Sequence, residues 1–199
     1  MTSTSTPRSK QRLALAGVAG ILAMSVGVLV VSPALAEVGT DATMIASSQS
    51  TVAYATADAV AAAEAEAAHA VELQAQIDAV VSLAYAQVGD SYSMGASGPD
   101  TFDCSGFTMW VYEEALGVSL PHNTHAQWDA IEDTWYVGEK EPQPGDLVFF
   151  FENGADHVGL YVGDGMMVHA ENPGSGVIVS PIYEGYWADD LTGFGRVVH

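Results

Sequence analysis

Cys104 is the only cysteine in this 199-residue chain, and two histidines on predicted strands, His157 and His169, follow it. The cysteine lies in the run Phe102-Asp103-Cys104-Ser105-Gly106-Phe107, where a helix is predicted to begin. A thiolate is a good nucleophile, but a free thiol with a pKa near ~8.5 is mostly protonated at neutral pH. It is activated by an adjacent base or by a helix N-terminus. The sequence offers both devices, which predicts a cysteine hydrolase or transferase.

The N-terminal residues have the pattern of an export signal and are not expected to be part of the folded domain. They comprise a basic region (Arg8, Lys10 and Arg12), an apolar stretch (Leu13–Val31) and a small-residue cleavage motif (Ala34-Leu35-Ala36). This arrangement predicts a signal peptide over residues 1–36. The alternative is an uncleaved membrane anchor, because the apolar stretch approaches the ~20 residues that cross a bilayer. Either way, the rest of the chain is expected to be exported, to the exterior or the cell wall.

The predicted export limits the roles that Cys104 can have. Oxidising compartments favour disulfides, and a lone cysteine cannot form one within its own chain. Cys104 is therefore an intermolecular bridge, a buried inert thiol or a reactive group. Its polar neighbours Asp103 and Ser105 are uncommon at a core position, which favours the reactive group.

The charge balance excludes one class of function. The chain has a formal net charge of −20, and the only Lys or Arg residues after position 36 are Lys140 and Arg196. Nucleic-acid binding relies on Lys and Arg to neutralise phosphates, so it is not expected. The same lack of cations argues against stable docking on anionic lipid once the signal is removed.

Residues 37–77 are predicted to lie outside the folded domain. Residues 37–56 are rich in Ala, Ser and Thr and indicate a flexible linker. Residues 57–77 are rich in Ala and Glu and favour a helix. Large apolar residues are too sparse there for a coiled-coil seam, so a spacer helix is expected. A weak partner helix and a flap over the active site remain alternatives.

Residues 78–199 predict one α+β domain with N-terminal helices on a central antiparallel sheet. Apolar residues recur at helical spacing up to Val88, and a second helix begins near Cys104, N-capped by Asp103, and stops at Gly117. Short strands are then predicted at 146–151, 157–162, 166–170, 177–179 and 195–198. Helices followed by consecutive strands are typical of the α+β class.

The hairpin between the two histidines allows a geometric prediction. If Gly163-Asp164-Gly165 is a three-residue loop, Val162 pairs with Met166, and Gly159 lies opposite His169. His157 then shares a sheet face with His169, whereas a two-residue turn would place them on opposite faces. With the longer loop, His157 is the candidate base for Cys104, and His169 orients its ring.

Metal binding is the rival use of the same side chains. Cys104, His157 and His169 are all zinc-ligand types, and His122 and His125 offer a second pair. A helical zinc site places two histidines four apart, whereas these are three apart in a loop, and no second cysteine exists. No metal and no cofactor are therefore expected.

Five motifs in order resemble those of the NlpC/P60 cysteine peptidases. They are Phe102-Asp103-Cys104-Ser105-Gly106, Leu120-Pro121, Pro144-Gly145-Asp146-Leu147-Val148-Phe149-Phe150, His157-Val158-Gly159-Leu160-Tyr161 and Val168-His169-Ala170. The resemblance implies a reduced papain-like α+β fold. It also implies cleavage of peptidoglycan stem peptides, at the bond from γ-D-glutamate to diaminopimelate or lysine.

The resemblance also implies roles for individual residues. Cys104 would be the nucleophile, with His157 as base and His169 as orienting residue. Tyr92 would line the site near the oxyanion, and Asp103 and Ser105 would contact the amino end of the substrate. Each of these three also has a plain structural alternative: packing for Tyr92, helix capping for Asp103, and a fit to the first helical turn for Ser105.

Two departures from the family pattern affect the cleft. The usual Gly-Gly after the tyrosine is Gly95-Ala96 here, and a segment that usually carries arginine reads Leu120-Pro121-His122-Asn123-Thr124. The expectation is a secreted cysteine endopeptidase acting on peptidoglycan stem peptides, with its oligomeric state open. A non-catalytic wall-peptide-binding or regulatory protein, and an acyl-transferring enzyme, are the alternatives.

Overall fold

The structure, a computed structural model, describes residues 42–151 and 156–199, with side chains from residue 57 onward. The predicted signal peptide lies outside the described residues. All contacts below are within the unit Ser47–His199. In chain order the elements are α1 (Ala42–Ala86), β1 (Ser91–Tyr92), β2 (Thr101–Phe102), α2 (Cys104–Leu116), α3 (Thr124–Ala130), β3 (Asp133–Tyr136), β4 (Leu147–Phe150), β5 (His157–Gly163), β6 (Met166–Asn172), β7 (Gly176–Pro181), a 3-10 helix (Gly185–Asp190) and β8 (Leu191–Arg196).

Helix α1 is longer and more continuous than the sequence predicts. It begins at Ala42, inside the predicted linker 37–56, and runs without a break through the expected boundary at residues 77 and 78. Residues 57–72 are exposed, whereas Val80 and Ala84 are fully buried in the core. The high helix propensity of Ala and Glu explains why the solvated part still forms helix. In the described part of the chain, no helix is apolar enough over a sufficient length to cross a bilayer.

The sheet confirms the predicted α+β class. Six strands pair in the order β3-β8-β4-β5-β6-β7, and every pairing is antiparallel. The edge strand β3, helix α3 and the short parallel pair of β1 with β2 were not predicted. These elements are only two to seven residues long, too short to give a clear periodic pattern.

Helix α2 packs on one face of the sheet and begins where the sequence predicts. The Asp103 side chain accepts a hydrogen bond from the Gly106 N–H, and Gly117 ends the helix with φ +68°. A left-handed residue at this place favours glycine. The helix buries Phe107 and Val111 against Val158 of β5, within a core that extends to β6 and β7. The N-terminus of α2 is thereby held beside the sheet.

The other face of the sheet carries a second apolar cluster. Its members are Trp135, Val148, Phe150, Tyr161, Met167, Ile182, Trp187 and Phe194. Because both faces are covered, β4 is buried at every position. Its sequence Leu147-Val148-Phe149-Phe150 is accordingly apolar without alternation.

The hairpin between the histidines corrects the predicted turn but keeps the predicted outcome. The pairing of Val162 with Met166 was wrong: Gly163 pairs with Met166, across a two-residue turn of Asp164 and Gly165. Both turn residues have positive φ, 52° and 71°, as a type I′ turn requires. A bulge between Tyr161 and Gly163 then restores the register, so that Leu160 pairs with Val168.

The restored register places the histidines together. Gly159 lies beside His169, where a Cβ on the glycine would be 3.1 Å from the His169 Cβ and 2.8 Å from the Met167 sulfur. A side chain at position 159 would therefore push the Met167 sulfur aside and crowd the Cβ of His169. Glycine leaves the space that the predicted contact between the two imidazole rings requires.

Candidate active site

Cys104 is the first residue of α2 and lines a cleft of about 540 Å³. Its sulfur lies 3.7 Å from the Thr124 hydroxyl. Burial raises the pKa of the thiol, while hydrogen bonds of the sulfur with the Thr124 hydroxyl and with the backbone N–H groups of Val158 and Ser105 oppose that rise. The N-terminal end of the helix dipole favours the anion as well. The site therefore holds a protonated thiol, with donors in place for the thiolate that forms when its proton leaves.

His157 and His169 form a buried hydrogen-bonded dyad. His157 is the first residue of β5, and its Nε2 lies 2.7 Å from Nδ1 of His169 on β6. Nε2 of His169 lies 2.9 Å from the Ser180 hydroxyl on β7. His157 lines the same cleft as Cys104, and the next residue along the chain, Val158, reaches the Cys104 sulfur through its N–H. With Nε2 engaged by His169, the Nδ1 atom of His157 is left to exchange a proton.

Trp187 covers the dyad on the sheet face opposite α2. Its ring stacks on His157 with centroids 4.5 Å apart and planes at 24°, and it meets His169 edge to face at 5.0 Å. Trp187 belongs to the 3-10 helix before β8 and is itself buried. Stacking fixes the plane of the His157 ring, and an indole face favours a cation on that ring.

Burial determines the charge state of the dyad. It lowers the pKa of His157 to about 4, and burial together with the neighbouring His157 lowers the pKa of His169 further. Both imidazoles are therefore neutral at pH 7. A neutral His157 is the form that accepts a proton from a thiol.

The stability of the protein is expected to fall as the pH falls from about 6.5 to about 4. Histidine in an unfolded chain titrates near ~6.5, whereas the folded-state pKa values of His157 and His169 are lower. In this window the unfolded state binds more protons, so the stability is fully present above it and is lost at about 1.4 kcal/mol per pH unit for each proton taken up. Urea unfolding at a series of pH values measures the slope.

The matched control for this slope is His125→Gln. His125 is a half-exposed histidine with its Nδ1 at 3.1 Å from Asp129, and it lies outside the dyad. The variant is expected to keep the wild-type slope between pH 6.5 and 5, where few carboxylates titrate. A wild-type stability that is flat across this range would show that the dyad takes up protons equally in both states.

Asp103 and Ser105 lie beside the nucleophile, but the carboxylate of Asp103 is already engaged. Its Oδ2 accepts from the Gly95 N–H at 2.7 Å, and its Oδ1 accepts from the Gly106 N–H at 2.7 Å and from the Ser105 hydroxyl at 3.2 Å. His122 Nε2 lies 2.9 Å from the same Oδ1. These bonds join the loop before α2 to its first turn and hold the wall of the cleft.

Tyr92 and three carboxylates complete the cleft. Tyr92 is half-buried, and burial together with the nearby Cys104 and Asp103 raises the pKa of its phenol, which stays protonated as a donor. Asp103, Asp156 and Glu171 also line the cleft, whereas no Lys or Arg does among the described residues. The cleft is therefore suited to a neutral or amine-bearing ligand.

The structure brings five of the six predicted site residues to the wall of one cleft, with His169 behind His157. Sequence reasoning missed Thr124, Ser180 and Trp187, whose roles depend on contacts between distant segments. His122 and His125, the alternative pair of metal ligands, have different partners: His122 contacts Asp103, and His125 contacts Asp129. Within residues 42–151 and 156–199, no group of three or more His, Cys, Asp or Glu side chains is placed to hold a metal ion.

The fold and the cleft define a class of α+β domain in which a cysteine at a helix N-terminus shares a cleft with one histidine of a hydrogen-bonded pair on an antiparallel sheet. The chain belongs to the NlpC/P60 family, whose model matches residues 89–196, more than half of the chain. This confirms the family resemblance and the fold expected from the five motifs.

Individual relatives agree with this assignment. The chain is 45% identical over 119 residues to the probable endopeptidase p60 of Listeria seeligeri, covering 59% of this chain and 22% of that protein. It is 41% identical over 125 residues to the bifunctional muramidase/DL-endopeptidase CwlT of Bacillus subtilis, covering 60% and 36%. The crystal structure of the NlpC/p60 domain of the peptidoglycan hydrolase SagA superposes with a TM-score of 0.54 at 31% identity, covering 61% of this chain and 98% of that one. The chain thus spans about a fifth of the first of these curated relatives and about a third of the second.

Proposed function

We propose that the protein is a secreted cysteine endopeptidase that hydrolyses peptidoglycan stem peptides. The observation that carries the proposal is the shared cleft of Cys104, at the N-terminus of α2, and His157, whose second nitrogen is held by His169. Relatives named as endopeptidases and peptidoglycan hydrolases support the reaction class. The folded catalytic domain is proposed to span residues 78–199, after a signal peptide (1–36) and a spacer (37–77).

The proposed reaction begins with a proton transfer. Cys104 gives its proton to Nδ1 of His157 as the sulfur attacks the carbonyl carbon of the scissile amide. The oxyanion that forms accepts hydrogen bonds from the Cys104 N–H and the Tyr92 phenol. His157 then protonates the leaving amine, the C–N bond breaks, and a thioester remains on Cys104. A water molecule, deprotonated by His157, hydrolyses the thioester and restores the free thiol.

The charge of the cleft supports a peptide substrate with a free amine. Asp103, Asp156 and Glu171 give the walls a negative charge, and stem peptides released from the glycan carry amino groups at the L-alanine end and on the diamino acid. Asp103 and Ser105 are the proposed contacts for the alanine end, where His122 would have to give way because it shares Oδ1 of Asp103. The proposed scissile bond joins γ-D-glutamate to diaminopimelate or lysine.

The test is mass spectrometry of defined stem peptides incubated with the purified protein. We expect cleavage after γ-D-glutamate, with new carboxyl and amino ends and no change elsewhere in the peptide. Peptides with diaminopimelate and with lysine at the third position identify the preferred diamino acid. Products joined to an added amine would indicate acyl transfer, and a folded protein that binds these peptides without cutting them would show a binding protein instead.

A further inference from the structure

Ser180 ends a buried chain of polar groups that runs from the cleft into the sheet. In the β6–β7 pairing His169 lies opposite Ile178, and Ser180 is two residues further along β7, on the same face and diagonal to His169. The chain of contacts is His157 Nε2 to His169 Nδ1 at 2.7 Å, then His169 Nε2 to Ser180 Oγ at 2.9 Å. His169 is fully buried, and Ser180 nearly so.

The two contacts can carry their hydrogens in only two consistent directions. In the first, His157 Nε2–H donates to His169 Nδ1, and His169 Nε2–H donates to the Ser180 oxygen. His157 Nδ1 then has a lone pair and is able to accept a proton. In the second direction Ser180 donates inward, His169 donates to His157, and the proton of His157 sits on Nδ1, so the ring cannot act as a base.

The protonated His157 that forms during the proposed reaction is compatible with only the first of these directions. An imidazolium carries hydrogens on both nitrogens, so its Nε2–H must find an acceptor at His169 Nδ1. His169 is then protonated at Nε2 and needs an acceptor of its own inside the protein. Among the described residues, Ser180 Oγ is the only hydrogen-bond partner of that nitrogen. Trp187 contacts both imidazoles through its ring.

We infer that Ser180 is a positioning residue for the reaction, because its oxygen serves as the acceptor for His169 Nε2–H and so stabilises the tautomers of His169 and His157 that leave His157 Nδ1 free to act as the base. The expected effect of Ser180 on turnover rests on the proposed function. The tautomers themselves can be measured in the free protein without a substrate. Ser180 does not line the cleft, and it acts only through His169. Removing its oxygen leaves a buried nitrogen without a partner in either direction, which favours neither tautomer.

The first test uses the unaltered protein. Nitrogen-15 NMR at pH 7.5 distinguishes protonated from unprotonated imidazole nitrogens for each assigned histidine. We expect His157 and His169 both to carry their hydrogen on Nε2, with Nδ1 unprotonated. A hydrogen on Nδ1 of either ring would overturn the inference, without any substituted protein being needed.

The second test compares Ser180→Ala with Ser180→Thr, which keeps the hydroxyl. The alanine variant is expected to mix the tautomers of His157 and to slow both alkylation of Cys104 by iodoacetamide and peptide turnover about tenfold to hundredfold. The threonine variant is expected to recover wild-type tautomers and rates to within a few-fold. An alanine variant with unchanged tautomers and alkylation rate would contradict the inference.

The two readouts separate this inference from the proposed function. Alkylation and the nitrogen spectra need no substrate. If the alkylation rate and the nitrogen spectra both change in Ser180→Ala while the wild type cuts no stem peptide, the proposed function is wrong. The role of Ser180 in positioning the histidines is then still supported. If stem peptides are cut equally by wild type and Ser180→Ala, the endopeptidase stands and Ser180 has no positioning role.

Discussion

Replacing Cys104 with alanine is expected to lower peptide cleavage by at least about ten-thousand-fold, because it removes the atom that forms the thioester. No other side chain that lines the cleft offers a comparable nucleophile, because the hydroxyls of Thr124 and Ser105 are far weaker nucleophiles than a thiolate, and Ser105 also donates to Asp103. Mass spectrometry of the same stem peptides measures the loss.

The fold is expected to survive this change. Cys104 is only half-buried, and the helix start depends on the bond from Gly106 N–H to Asp103 rather than on the thiol. Thermal unfolding should therefore stay within about 1 kcal/mol of wild type. Ser82→Ala, an exposed change on α1, is the matched control and should retain full activity. Cleavage by Cys104→Ala at the wild-type rate would rule out the thioester mechanism.

Replacing Arg196 with methionine is expected to lower the free energy of unfolding by about 3–5 kcal/mol, because it leaves a buried charge without its partner. Arg196 on β8 holds Asp146 with two bonds, Nε to Oδ1 at 2.8 Å and a terminal nitrogen to Oδ2 at 2.7 Å. Asp146 is 4% exposed and also accepts from the Gln143 N–H. Urea unfolding measures the loss.

The second strong cation of residues 37–199 provides a matched control. Lys140 pairs with Asp133 at 2.5 Å, but the two side chains are 40% and 36% exposed. Lys140→Met should therefore cost no more than about 1 kcal/mol. The double variant Asp146→Asn with Arg196→Met is expected to recover part of the loss by removing the stranded charge. If Arg196→Met and Lys140→Met lower the free energy of unfolding equally, burial does not make the Arg196–Asp146 pair more important for stability than the exposed pair.

The sequence predicts those features that depend on neighbouring residues. Asp103 caps α2 and Gly117 ends it, as the cap preferences of Asp and Gly indicate, and β4 forms from an unbroken apolar run. The hairpin shows the limit of this reasoning. Its turn has two residues rather than three, and only the bulge at Val162 brings His157 to the same side as His169. Nothing in the local sequence marks that bulge.

The rest of the site depends on contacts between segments far apart in the chain. Ser180 is 11 residues from His169, and Thr124 is 20 residues from Cys104. Trp187 precedes β8 and carries no motif that would place it over the histidines. Local patterns hold no information on these contacts, because strand order and register determine them. The nucleophile and the base were recognisable from chemistry and motifs, whereas their supporting groups were not.

The placement of Lys140 and Arg196 affects how the protein as a charged particle interacts with its surroundings. Arg196 is turned inward onto Asp146 and Lys140 is neutralised by Asp133, so among the described residues the remaining Asp and Glu side chains give the surface a net negative charge. An anionic polymer network would exclude such a particle at low ionic strength, in the manner of a Donnan equilibrium. Salt at about 0.15 M shortens the range of that repulsion to ~8 Å. Entry into such a network would then be governed by the ionic strength of the medium as much as by the cleft.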